Sequence, residues 1–408
     1  MSTKRPIIGF FHDGLSIPPK EGISVHAYEL ARALALHADM DIVIVIADRG
    51  RATEEQLAKE PFDSILIHPD DYYDRAKITQ IIKDNNMDLV QNYNTYYIAS
   101  LLGPAAEACM VPLLAEHHDL ESELAFLRKD SAEAAYQENI QRLAIQYSAR
   151  SRFMSSHDFA TIKKDLPEEL IQKTFLMPVS FLPKNDTPLQ NALRNEKAVV
   201  FVGNMAYPPN REAALRIIND IAPHVPQANF LIIGRGSKSL PVMTDATNIH
   251  LMGEVEDLYS VLRTSAIGLA PLSEGSGLKI KLIAYLEAGL PVICSSVALS
   301  GYPENDCLVQ ADSANETIEQ IKRLLDDPTT LSQTSESATE LFRSNFNIMT
   351  TLPHLVNVYT DCIRAYQYSH IENAIDTPDM TKFPWHNQLK DVDYIPSKQP
   401  LLIKGALQ

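Results

Sequence analysis

Two lysines stand two positions apart behind a glycine-bearing loop in the stretch Gly275-Ser276-Gly277-Leu278-Lys279-Ile280-Lys281. Backbone N–H groups at a helix start, with ammonium groups close by, make a ready site for an anion such as a phosphate. The same stretch also reads as an ordinary loop–helix junction with solvated lysines, because a lone glycine-rich loop is a weak signal. A second cluster, His117-His118-Asp119, closes the apolar run VPLLAEHH. Imidazole and carboxylate are common metal ligands. Neighbouring residues on a strand point to opposite faces, however, so His117 and His118 are not expected to share an ion, and no metal site is expected. His12 and Asp13 follow the first apolar run and suit either a substrate border or a plain loop.

Strands and helices must alternate to position these groups. Ile267 and Leu269 before the lysine loop, and Val292 and Ile293 after it, predict two buried strands. Between them Lys279, Ile280, Leu282, Ile283 and Leu286 have helical spacing, and Gly289 and Pro291 are the stop signal. The runs PIIGFF, DIVIVIA, SILIH, DLVQNY and VPLLAEHH predict strands of a first domain, and SELAFLRKDSAEAAYQENIQRLAIQYSAR predicts one long amphipathic helix. AVVFVGN, NFLIIGRG, IHLMGEV and IGLAPL begin a second series, with helices at NREAALRIINDIAPHV, DLYSVLRTS, ETIEQIKRLLDD and MTTLPHLVNVYTDCIRAYQYS. This alternation is the signature of parallel sheets covered by helices, in which ligands sit at the carboxyl ends of the strands. The expected division is residues 1–190, residues 191–370 with the last helix packing back on the first domain, and a polar, proline-containing extension over 371–408. The segment from Lys184 to Glu196 is the expected linker.

The bulk properties narrow the class. The 408 residues are 45% hydrophobic, enough for two α/β domains with proper cores. A net charge of −16, spread over both halves, argues against nucleic-acid binding and a basic membrane-docking face. Four separated cysteines without a Cys-x-x-Cys pair read as reduced thiols. No stretch is long and apolar enough for an integral membrane segment or a signal-peptide core, so a cytoplasmic location is expected.

Several stretches taken together resemble the group 1 glycosyltransferases. FVGNMAYPPN, FLIIGRG, LMGEVEDLYSVL and PLSEGSGLKIKLIAYLEAGLPVI stand in that family's order and spacing. PPKEGISVHAYELARAL looks like its N-terminal glycine loop and first helix, and LLAEHHDLES resembles its strand ending in His-Asp. The resemblance covers about residues 6–365 and is strongest in the second domain. It implies an α/β chain of the GT-B fold, two Rossmann-like doubly wound domains facing each other across a cleft. It further implies a retaining, metal-independent transfer of sugar from a nucleotide-diphosphate sugar, with no separate cofactor, to an unidentified acceptor: a saccharide, natural product or lipid-linked compound.

The resemblance also assigns roles. Gly275, Ser276, Gly277, Leu278, Lys279 and Lys281 would hold the donor diphosphate, together with Gly22, Gly203, Asn204 and Arg211. Gly253, Glu254 and Val255 would receive the base, and Arg235 is a weaker phosphate candidate. His118 and Asp119 would lie near the transferred sugar. One departure stands out: the family glutamate that binds the ribose hydroxyls is Ala284 here, and the position eight residues earlier is Ser276. Glu287, one turn after Ala284, and Glu274 in the loop are the carboxylates placed to substitute. A degenerate, non-catalytic relative acting as a partner or scaffold is the alternative reading, and another GT-B activity such as nucleotide-sugar epimerisation or non-glycosidic coupling is a third.

Overall fold

A computed structural model describes residues 4–19, 22–127, 129–184, 197–275 and 277–368. The expected linker, apart from Lys184, and the extension 371–408 lie outside the described residues. The first sheet contains β1 (Ile7–His12), β2 (Asp41–Ala47), β3 (Asp63–Ile67), β4 (Leu89–Asn92), β5 (Leu113–His117), β6 (Arg150–Phe153) and β7 (Thr174–Leu176), in the order β3-β2-β1-β4-β5-β6-β7. The second contains β8 (Ala198–Val202), β9 (Asn229–Ile233), β10 (Ile249–Gly253), β11 (Ile267–Ala270), β12 (Val292–Cys294) and β13 (Leu308–Gln310), in the order β10-β9-β8-β11-β12-β13.

Both sheets are parallel throughout. Parallel strands carry helices on both faces, so they read as near-continuous apolar runs, and β2 is buried at every residue after its first. Strand order reverses between β1 and β4 in one sheet and between β8 and β11 in the other. At such a switch point adjacent loops diverge and leave a crevice at the carboxyl ends of the strands. The glycine–lysine loop leaves β11, next to the second switch point.

The helix Ile348–Tyr368 returns to the first sheet. Leu352, Leu355, Val358, Tyr359 and Cys362 share a core with Ile8, Phe10 and Leu89. Tyr359 donates its hydroxyl to Gln91 Oε1 on β4, and the hydroxyls of Ser180 and Thr351 lie 2.7 Å apart.

Some local expectations fail for identifiable reasons. The single long helix expected between residues 122 and 150 is two, Glu121–Leu127 and Ser131–Tyr147. Lys129 takes a left-handed φ of 63°, and the Asp130 side chain accepts from Glu133 N, capping the second helix. A helical period alone does not register such a cap within a polar run. β6, β7 and β13 also went unread.

Candidate functional site

On the second-domain wall, two glycines shape the loop after β11. Gly275 and Gly277 have φ of 132° and 65°, values that L side chains rarely adopt. A Cβ on Gly277 would also stand 1.9 Å from Asp119 Oδ1 and 2.4 Å from the His118 carbonyl oxygen. The loop therefore rests directly on the first domain at the expected His-Asp position. Lys279 turns back on it, donating to the carbonyls of Gly277 at 2.7 Å and Gly275 at 3.2 Å. Burial lowers the pKa of Lys279, opposed by the carboxylates of Asp119, Asp158 and Glu123.

Lys281 lies deeper. Its Nζ donates to Asn210 Oδ1 at 2.6 Å and sits 4.3 Å from the centre of the Phe201 ring. Burial, and then the neighbouring Lys279, push this ammonium down to about 7. Asn210 packs beneath Gly203, where a Cβ would meet Asn210 Cγ at 2.8 Å, and it donates to the Asn204 carbonyl at 3.1 Å. Thus Gly203, Asn204 and both lysines come together at the start of the helix Ile280–Glu287. Gly22, at the first residue of the helix Gly22–His37, approaches the same point, since a Cβ there would lie 2.9 Å from Ile280 Cδ1.

The remaining second-domain candidates are more spread out. Gly253 has φ 74°, donates its N–H to Ser237 Oγ at 2.9 Å, and accepts from Gly234 N at 2.8 Å. Glu254 is exposed and stands 3.8 Å from Arg235, while Val255 packs on the core. Glu287 accepts from the backbone N–H of Lys184. It faces Tyr259, on the helix that follows the Gly253–Val255 loop, and burial raises its carboxyl. Arg211 and Glu274 are exposed, Leu278 and Ala284 are partly buried against the core, and Ser276 lies outside the described residues.

The first-domain wall is ionic and buried. Glu116, on β5 and two residues before His118, is held by Arg152 Nη1 at 2.8 Å, with His26 Nε2 at 3.5 Å. Burial alone would raise the Glu116 carboxyl, but His26 and Arg152 together hold it well below the usual range. Arg152 also donates to the carbonyls of Met177 at 3.0 Å and Pro178 at 2.5 Å, so its charge is fully used. His118 packs edge-on against His26 and Tyr93, at ring-centre distances of 5.4 and 5.7 Å. Burial, and then His26, push its imidazole down to about 3, so it is neutral near pH 7. His117 points elsewhere, stacking on Phe153 at 4.4 Å and pairing with Gln141 and Ser151. His12 is pushed down to about 4 by burial, and Asp13 is clamped by Arg49 at 2.6 Å and by Tyr73 at 2.8 Å. A small cavity lies beside them, lined by His12, Leu15, Gln91, Asn92, Tyr93 and Glu116.

Among the described residues, two groups bring three potential metal ligands within 4.8 Å of one another: His26, Glu116 and His118, and Glu123, His157 and Asp158. In the first, Glu116 Oε1 already accepts from Arg152 Nη1 at 2.8 Å. In the second, Glu123 and His157 already pair at 2.9 Å. Sequence reasoning missed His26, Glu116, Arg152, Glu123 and Asp158. The two-residue spacing of Glu116 and His118 was the one readable signal.

Comparisons with known proteins agree with this architecture. Residues 196–327 match the sequence model of the family described as Glycosyl transferases group 1. Comparison with curated proteins gives no match. Among solved structures, sucrose-phosphate synthase from Thermosynechococcus elongatus is similar at TM-score 0.69 and 15% identity, over 88% of this chain and 100% of that one. Anabaena HepE, solved with UDP and glucose, is similar at TM-score 0.67 and 11% identity, over 87% and 100%. A glycosyltransferase from Rickettsia africae reaches TM-score 0.64 at 16% identity, over 89% and 100%. The second domain thus matches the group 1 glycosyltransferase family model, and the chain as a whole has the GT-B fold of these solved structures. Among the described residues, no helix is long and apolar enough to cross a membrane.

Proposed function

We propose that this protein transfers a sugar from a nucleotide-diphosphate sugar to an acceptor hydroxyl or amine, with retention and without a metal. The observation that carries this reading is the junction of the Gly275–Lys279 loop with His118 and Asp119, beside two partly buried lysines. Lys279, Lys281 and the N–H groups at the start of the helix Ile280–Glu287 oppose the negative charge that develops on the departing diphosphate. As the bond from the anomeric carbon to the phosphate oxygen breaks, the acceptor oxygen bonds to that carbon from the same side. Its proton passes to the departing phosphate oxygen, so no side-chain base is needed. HepE was solved with UDP-glucose, which makes a UDP-sugar the first donor to try. Glu287, beside the base loop through Tyr259, is the carboxylate that stands in for the missing one at Ala284.

Calorimetry with UDP-, GDP-, dTDP- and ADP-sugars in EDTA tests the reading. Binding of one donor, followed by chelator-resistant turnover to a product of unchanged anomeric configuration, is expected. Failure to bind any of them would favour the non-catalytic alternative. Loss of turnover in EDTA, restored by Mg²⁺ or Mn²⁺, would overturn the metal-independent mechanism.

A further inference from the structure

Asp158 is an anomaly. It sits on the helix Ser156–Lys163 at 1% exposure, and neither carboxylate oxygen has a hydrogen-bond partner. A buried carboxylate without donors is costly, and native proteins seldom keep one without a use. The charged groups facing it come from every side of the cleft: Asp119 from the loop after β5, Glu123 from the helix Glu121–Leu127, His157 from its own helix, and Lys279 from the second domain. Burial, and then Asp119, push its carboxyl up to about 7.

We propose that Asp158 is a specificity-determining residue whose carboxylate accepts hydrogen bonds from hydroxyls of the transferred sugar. The inference rests on the donor-site reading above. The sugar is bonded directly to the diphosphate, so wherever Lys279 meets phosphate, the ring lies within about one ring's length of it. The start of the Asp158 helix lies against the glycine–lysine loop: a Cβ on Gly301 would stand 2.7 Å from Oγ of Ser155, which caps that helix, and 3.1 Å from Cδ2 of Leu278 next to Lys279. The Lys279 ammonium acts on the Asp158 carboxylate. An ionised carboxylate is acceptor-only and can take up to about four hydrogen bonds. Neutral hydroxyls supply those donors without adding charge. A divalent cation would suit the oxygens equally, but it would have to break the Glu123–His157 pair and stand near an ammonium group.

The test is calorimetry at pH 8 in EDTA with UDP and UDP-glucose, or with the nucleoside diphosphate and sugar that the wild type retains. Wild type is compared with Asp158→Asn and Asp158→Ala, each first shown to be folded by thermal unfolding. The Ala variant keeps the test valid if the Asn variant fails to fold. Affinity for UDP should stay within about twofold, while UDP-glucose weakens about tenfold or more in either variant, the scale of one charged hydrogen bond. An unchanged ratio of the two affinities overturns the proposal, whether both stay constant, both weaken or both tighten. Mn²⁺ binding to the wild type alone, lost in the variants, would assign the cluster to a cation instead. If the wild type binds no nucleoside diphosphate, the donor-site reading fails and takes this inference with it. UDP binding with an unaltered glucose increment removes this inference alone.

Discussion

The two walls of the cleft are built on opposite plans. The second-domain wall comes mainly from one short loop and helix start, Gly275 to Lys281, with Gly203 and Asn210 beneath it, and it presents backbone N–H groups and two lysines. The first-domain wall gathers His26, Glu116, His118, Asp119, Arg152 and Asp158 from widely separated segments and ties Glu116 and Arg152 into a buried ion pair. On the proposed function, the difference follows from what each wall would recognise. A diphosphate is a compact charge that a glycine loop and flexible ammonium groups can hold. Sugars and acceptors present directional hydroxyls, which call for side chains fixed at several angles, and fixing them requires interior hydrogen bonds.

The comparison breaks most visibly in stability. Glu116→Ala leaves the Arg152 guanidinium buried without its carboxylate, and unfolding by denaturant should show a loss of about 3–5 kcal/mol. Little change would mean that the first-domain wall is no more structural than the second. Lys279→Ala and Lys281→Ala should instead spare the fold and weaken nucleoside diphosphate binding by about 1.5–3 kcal/mol each, measured by titration calorimetry. Wild-type affinity in both variants would remove the diphosphate from this wall.

The smallest effect is a pH dependence. Lys281 has its pKa lowered to about 7 in the folded protein, so above that pH it is increasingly neutral before the anion arrives. A diphosphate beside it favours the ammonium form, so binding at pH 8 takes up a proton. The affinity for UDP-glucose, whose diphosphate does not titrate in this range, should fall as pH rises from 7 to 9, by at most about tenfold per unit. Calorimetry in buffers of different ionisation enthalpy reads the proton directly, and Lys281→Met should flatten the slope. A pH-independent affinity would place Lys281 away from the diphosphate.

Much of the second-domain wall was legible because its determinants are local. Gly277, Lys279 and Lys281 lie within five residues, and their types already specify a loop of left-handed backbone leading into a helix. Asn210 escaped notice although it pairs with Lys281, because 71 residues separate them. The first-domain wall was largely hidden. β6 reads Arg-Ser-Arg-Phe, a polar sequence that resembles the tail of a helix until Glu116 appears beside it. Asp158 gave no signal at all, since the charged groups that act on it, Asp119, Glu123 and Lys279, come from separate segments of the chain.

The sequence by itself determined two parallel α/β sheets, the glycine–lysine loop and the strand that ends in His-Asp, because these follow from hydrophobic period and backbone freedom over short windows. Tertiary structure decided which charges are buried, which imidazoles are neutral and which carboxylates face Lys279. Those properties depend on desolvation and on Coulomb interactions over a few ångströms between residues far apart in the chain, and no local pattern encodes such distances.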